Sequence, residues 1–217
     1  MTDAKQRLTH LIELATQDAP ENRRALAVEL CDLLIDWPPH YPAAMREPFE
    51  ALLEKTVRII DCETRRTLIA RLASRHETPV TLLNEFYFDA PDDTRDAIVL
   101  RNALMDGASA TPGHTDEAAL VTAARCKPQD QFTESFASML GIAPDTADRI
   151  LHDHSGRALA VACKGAHLGR ATFSALAVLS EAGMALDAAR ERLSSFDSVP
   201  LTGAERLLDY WRTHKAA

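Results

Sequence analysis

Apolar residues recur along this chain at helical spacing, in short runs separated by proline, glycine or a polar capping residue. Leu8, Leu11, Ile12 and Ala15 share one face of a first helix that Asp3 is placed to cap. After Pro20 a second helix is predicted over Glu21 to Ile35, with Leu26, Leu30, Leu33 and Leu34 inward. "WPPHYP" (37–42) is a loop, because its three prolines lack amide donors and restrict their neighbours. The next helix, with Leu52, Leu53, Val57 and Ile60 in period, runs to about Ile60, and Pro48 either starts its main body or kinks it. Asp61 then caps 62–73, and Thr78 followed by Pro79 reads as an N-cap with proline at the first helical position. Asp89 and Pro91 open a helix over 91–104, with Ile98, Val99 and Leu104 apolar. Beyond Thr115, placed as a cap for 116–125, helices fit 128–140, 144–152, 155–166, 170–182, 185–195 and 202–214. Gly141 and Gly183 stand where left-handed C-caps belong.

Two features organise these elements. The eight glycines all lie at or after Gly107, so "MDGASATPGHT" (105–115) is the predicted linker between two domains, 1–106 and 116–217. The first half also carries an internal repeat. "RRALAVELC" (23–31) matches "RRTLIARLA" (65–73) at a spacing of 42 residues, and "TRRTLIARL" (64–72) resembles "TRDAIVLRN" (94–102). In both later copies an aspartate precedes the arginine, Asp61 before Arg65 and Asp92 before Arg95. Helix-pair repeats of this period stack because one pair cannot bury its apolar face alone.

Composition agrees with helices throughout. There are 36 alanines and 27 leucines against 8 valines and 8 isoleucines, so strand-favouring residues are scarce. The net charge is −8, and neither half contains a basic stripe, which argues against nucleic acid as the partner. The first apolar stretch is broken by Thr9, His10 and Glu13, and no run approaches the ~18 apolar residues of a membrane span. Four widely spaced cysteines without a CxxC imply free thiols in a cytoplasmic protein.

The aspartate-then-arginine helix starts resemble those of HEAT-like repeats. "FASMLGIAPDTADRILHDHSGRALAVACKGAHLGRATFSALAVL" (136–179), above all "ILHDHSGRALAVACK" and the following "RATFSAL", resembles the second half of a bacterial family of uncharacterised proteins with HEAT-like N-terminal helices. The resemblance covers about residues 5–180. It implies an all-helical fold, and it brings no established activity and no catalytic residue.

The densest chemistry lies in that stretch. Cys163 and His167 are four apart on a predicted helix, and His152 and His154 come just before it, so the set invites a tetrahedral metal site or a histidine-activated thiolate. The spacing opposes both, because His152 and His154 would point to different sides of a helix. A packing account explains more: His152 at a helix C-terminus, Ser155 as the next N-cap, and Cys163 within a small-residue surface with Ala158, Leu159, Val161, Ala162 and Ala166. We therefore assign no catalytic, cofactor or metal residue here. The acids of "DAPDDTRD" (89–96) read as helix-start charges, and the aromatics of "NEFYF" and Trp37 as core ends. No phosphate loop, GxSxG or HExxH occurs.

The sequence thus predicts an all-α protein, a short HEAT-like α-solenoid followed by a second helical domain. Its expected role is a non-enzymatic protein–protein interaction, scaffold or regulatory module. The alternative is a metal- or small-molecule-responsive protein, or an enzyme, using the C-terminal domain. Arginines of the second helices, Arg66, Arg95 and Arg101 in particular, are the expected contacts to an acidic protein partner. Limited proteolysis should nick 105–115 first, and first cuts at 37–42 or near Gly183 would place the boundary elsewhere.

Overall fold

The structure is a computed structural model that describes residues 2–17, 19–105, 116–179 and 186–214. Among these there are thirteen α-helices and no strand. The chain divides into two compact units, Met1–Thr94 and Arg95–Ala217. No helix among the described residues is long and apolar enough to cross a membrane.

The first unit contains α1 (Thr2–Thr16), α2 (Pro20–Ile35), α3 (Arg46–Arg58), α4 (Cys62–Ala73) and α5 (Val80–Glu85). At its centre is α2, which packs against α1, α3 and α4. That position explains its wide apolar arc: Leu26, Ala27, Leu30, Cys31, Leu33 and Leu34 are all buried. On α1 the inward pair is Leu11 and Leu14, whereas Ile12 and Ala15, expected on that face, are exposed. Leu11 and Leu14 are three apart and align along the helix; Ile12 lies about 100° round from Leu11.

The helix start at Asp61 follows the sequence expectation, with the Asp61 carboxylate accepting from Thr64 N at 2.9 Å. That backbone hydrogen bond and the Arg24 guanidinium hold the Asp61 carboxyl well below the usual range. Pro48 lies in the first turn of α3, preceded by a 3-10 turn at Ala43–Met45, so it starts the helix and does not kink it. The N-cap of α5 is Pro79, not Thr78. The Thr78 hydroxyl instead donates to Leu72 O at 2.7 Å and ties the turn back to α4.

Helices α2 and α4 lie side by side and run in the same direction. Arg24 pairs with Asp61 at 2.7 Å near their starts, Cys31 Sγ approaches Leu68 O at 4.0 Å in the middle, and Arg71 pairs with Asp32 towards their ends. The register between them is therefore shorter than the 42-residue spacing of the matched sequence segments.

The helix α6 (Asp92–Ala103) starts in the first unit and continues into the second. The second unit also holds α7 (Glu117–Cys126), α8 (Gln129–Leu140), α9 (Pro144–Leu151), α10 (Arg157–Gly165), α11 (Arg170–Leu179), α12 (Leu186–Ser198) and α13 (Leu201–Thr213). The sequence placed the boundary in 106–115, but the compact units part at 94/95, and residues 106–115 lie outside the described residues. The reason is the packing of α6: Ile98 and Val99 are buried, and Arg206 of α13 donates to Asn102 O at 2.6 Å. Leu104, expected inward, is 75% exposed.

The core of this unit is α10, where Ala158, Leu159, Ala160, Val161, Ala162, Cys163 and Gly165 are buried among α9, α11, α12 and α13. On α13, Leu207, Leu208 and Trp211 dock inward as their spacing predicts. Gly141 adopts the left-handed C-cap at φ 72°, while Gly183 lies outside the described residues. The cap of α7 is Asp116, accepting from Ala119 N at 3.0 Å, while Thr115, the expected cap, lies outside the described residues. Gly165 sits against α13 so closely that an added Cβ would meet Ala204 O at 2.5 Å. Gly165→Ala should therefore lower stability by about 1–3 kcal/mol through overpacking, read from the urea midpoint.

Candidate functional site

The stretch from Arg149 to His167 forms the end of α9, a tight loop, and α10. Asp153 lies at the centre of the loop, with a side chain 8% exposed. Its carboxylate accepts from Arg95 Nη1 at 2.8 Å, from Ser155 Oγ at 2.9 Å and from Ala158 N at 2.8 Å. Asp153 thus caps α10 from five residues upstream, while Ser155 Oγ accepts from Arg157 N at 3.2 Å. Ser155, the expected N-cap, shares that role, and the residue directly before the helix is Gly156. Gly156 has φ 71°, and an added Cβ would meet Arg192 Cγ at 2.2 Å. Only glycine both adopts this backbone and lets the buried Arg192 side chain cross over it.

Around this loop the histidines and Cys163 diverge. His152 is exposed at the end of α9, with Nδ1 3.1 Å from Asp148 Oδ1, and His154 is exposed as well. His167 follows α10 with φ 57°, and its Nε2 lies 2.7 Å from Glu205 Oε1. Cys163 is completely buried, and burial pushes its thiol far above the ordinary range, with the Glu117 carboxylate adding to the effect. Among the described residues, no three His, Cys, Asp or Glu side chains are grouped to hold a metal ion. The aspartates of 89–96 are likewise spread over separate contacts: Asp89 pairs with Arg65, Asp93 accepts from Thr94 N, and Asp96 pairs with Arg157.

The three arginines expected to face a partner have different surroundings. Arg66 is exposed on α4. Arg95 is spent inside the second unit, 12% exposed and paired with Asp153. Arg101 is half-buried on α6, in the second unit.

Two features escaped the sequence reading. One is Glu117 on α7, whose two carboxylate oxygens each accept from Gly169 N at 3.2 Å and which also accepts from the Thr172 hydroxyl, so it closes the start of α11. The other is an open groove of about 630 Å³ between α7 and α8, bordered by Ala119, Thr122, Cys126, Lys127, Ser138 and Met139. Neither leaves a local sequence signal, because each joins residues from separate helices. The four thiols are free: Cys31 and Cys163 are buried, and Cys62 and Cys126 exposed.

Residues 108–209, a little under half of the chain, match the family described as an uncharacterised protein conserved in bacteria (DUF2336). The matched span takes in the Asp153 loop and the groove. It begins later than the resemblance drawn from the sequence, and it continues beyond Gly183, through α12 and into α13. No curated protein and no solved structure matches the chain.

Asp153→Ala should remove about 3–5 kcal/mol of stability, because it leaves the Arg95 guanidinium buried without its carboxylate. Urea unfolding measures this. A loss below about 1 kcal/mol, the range of a surface pair, would show that the loop does not depend on Asp153.

Proposed function

We propose that the protein is a non-enzymatic interaction module, with a HEAT-like stack in its first unit that receives an acidic segment of a partner protein on the exposed face of α4. What supports this reading is the parallel, side-by-side placement of α2 and α4, with α4 presenting an exposed guanidinium at Arg66. In stacked helix pairs the second helices form a continuous surface; here α2, which packs against α1, lies beside α4, the helix that follows α3 in the chain. The neighbouring Arg24, Arg65 and Arg71 are already paired with Asp61, Asp89 and Asp32. Arg66 makes no ion pair among the described residues, so its planar fork is available to a carboxylate without breaking an internal contact. Arg95 is withdrawn from the expected contact set because Asp153 already holds it.

The α7–α8 groove favours a second reading, a binding surface for a small molecule or peptide within the family-matched span.

Charge reversal distinguishes the two. In Arg66→Glu the helical circular-dichroism spectrum should be unchanged, and capture of the co-purifying partner from the native host should weaken by about tenfold or more. Capture that survives Arg66→Glu but is abolished by Ala123→Arg, which fills the groove, would move the binding surface to α7–α8.

A further inference from the structure

We infer that α7 is a latch: it opens as a unit about the Lys127–Pro128 connection while the rest of the second unit stays folded, and the Glu117 carboxylate is its catch. The inference starts from how little of α7 is buried. Of its ten residues only Leu120 is buried, whereas seven of the nine residues of α10 are. The side formed by Ala119, Thr122, Ala123 and Cys126 borders the open groove, and the helix packs against α8 and α11 alone among its larger neighbours.

Its helical structure is also supported from within. Asp116 caps its first turn, and the Thr122 hydroxyl donates to Ala118 O at 2.8 Å, so the helix keeps these bonds when it swings away. The connection to α8 consists of Lys127 and Pro128, both extended, with ψ 148° and 154°. Two extended residues between helices make a compact hinge, because a small change in their backbone angles moves the whole helix.

The attachment to the start of α11 is concentrated in the first turn of α7. Glu117 takes the Gly169 N–H and the Thr172 hydroxyl, and Leu120 fills one apolar seat. Opening breaks these two contacts together with the packing of α7 on α8 and α11, and leaves the α10–α13 core in place. Segments with few buried apolar contacts open at lower free energy than the global unfolding of their domain. Opening vacates the donors at the start of α11 and uncovers the seat of Leu120.

Hydrogen exchange read by mass spectrometry on the full chain tests this. In the native protein, peptides from 117–126 should exchange at least about tenfold faster than those of α10 and α13. Glu117→Gln should accelerate 117–126 by about a further tenfold and leave α10 and α13 unchanged. Thr172→Val removes the hydroxyl half of the catch and should act in the same direction, and the native measurement stands without any variant. Equal protection of α7 and α10 in the native protein would overturn the latch. So would a Glu117→Gln effect spread evenly over the second unit, or no effect at all.

Discussion

An α-helix leaves the N–H groups of its first turn and the carbonyls of its last turn without partners inside itself. The thirteen helices among the described residues meet that constraint at each end, and much of the charge is spent there. Arg46 donates to Leu34 O, at the end of α2, and to Glu77 O. Arg65 donates to Arg58 O and Ile60 O at the end of α3. In the second unit Arg206 closes α6 at Asn102 O, and Arg212 closes α8 at Leu140 O. Acids do the complementary work at helix starts, Asp61 on α4, Asp116 on α7, Asp153 on α10 and Glu117 on α11. Cations at C-termini and carboxylates at N-termini also complement the helix dipoles.

Long-range caps of this kind do two jobs. A local cap fixes where a helix starts or stops; a cap supplied by another helix also fixes which helices are neighbours. Arg206 and Arg212 leave the same helix, α13, and reach the ends of two others. The Arg95–Asp153 pair goes further, because one carboxylate orders a loop, starts α10 and holds α6. Such a buried pair is costly to desolvate, so its contribution lies in selecting one arrangement.

This division also explains what could be read from the sequence. The span of α4, its cap at Asp61, the inward face of α2 and the left-handed turn at Gly141 follow from periodicity and short-range caps, and all were legible. Misplaced features involve a partner far along the chain. Thr78 looked like a cap because proline follows it, yet its hydroxyl is bound to Leu72 O on the preceding helix. Ser155 looked like the cap of α10, but the stronger acceptor was Asp153, fixed by an arginine 58 residues away. Arg95 looked like a surface contact for the same reason. Leu104 and Ile12 fit an apolar pattern that the neighbouring helices do not reach. The candidate site followed the same rule: whether His152, His154 and Cys163 converge was not settled by their spacing, and the groove and the Glu117 catch exist only in three dimensions.

The distribution of thiols has a practical consequence. Each compact unit carries one buried and one exposed cysteine, Cys31 and Cys62 in the first, Cys163 and Cys126 in the second. Burial pushes the Cys31 thiol up to about 11, and Cys163 higher still, so both stay protonated and shielded under mild alkylating conditions. A maleimide dye pair added to the native, unmodified chain would therefore attach at Cys62 and Cys126, one fluorophore per unit. The protein carries its own spectroscopic ruler, and the separation of its two halves becomes a quantity that energy transfer reads directly in solution.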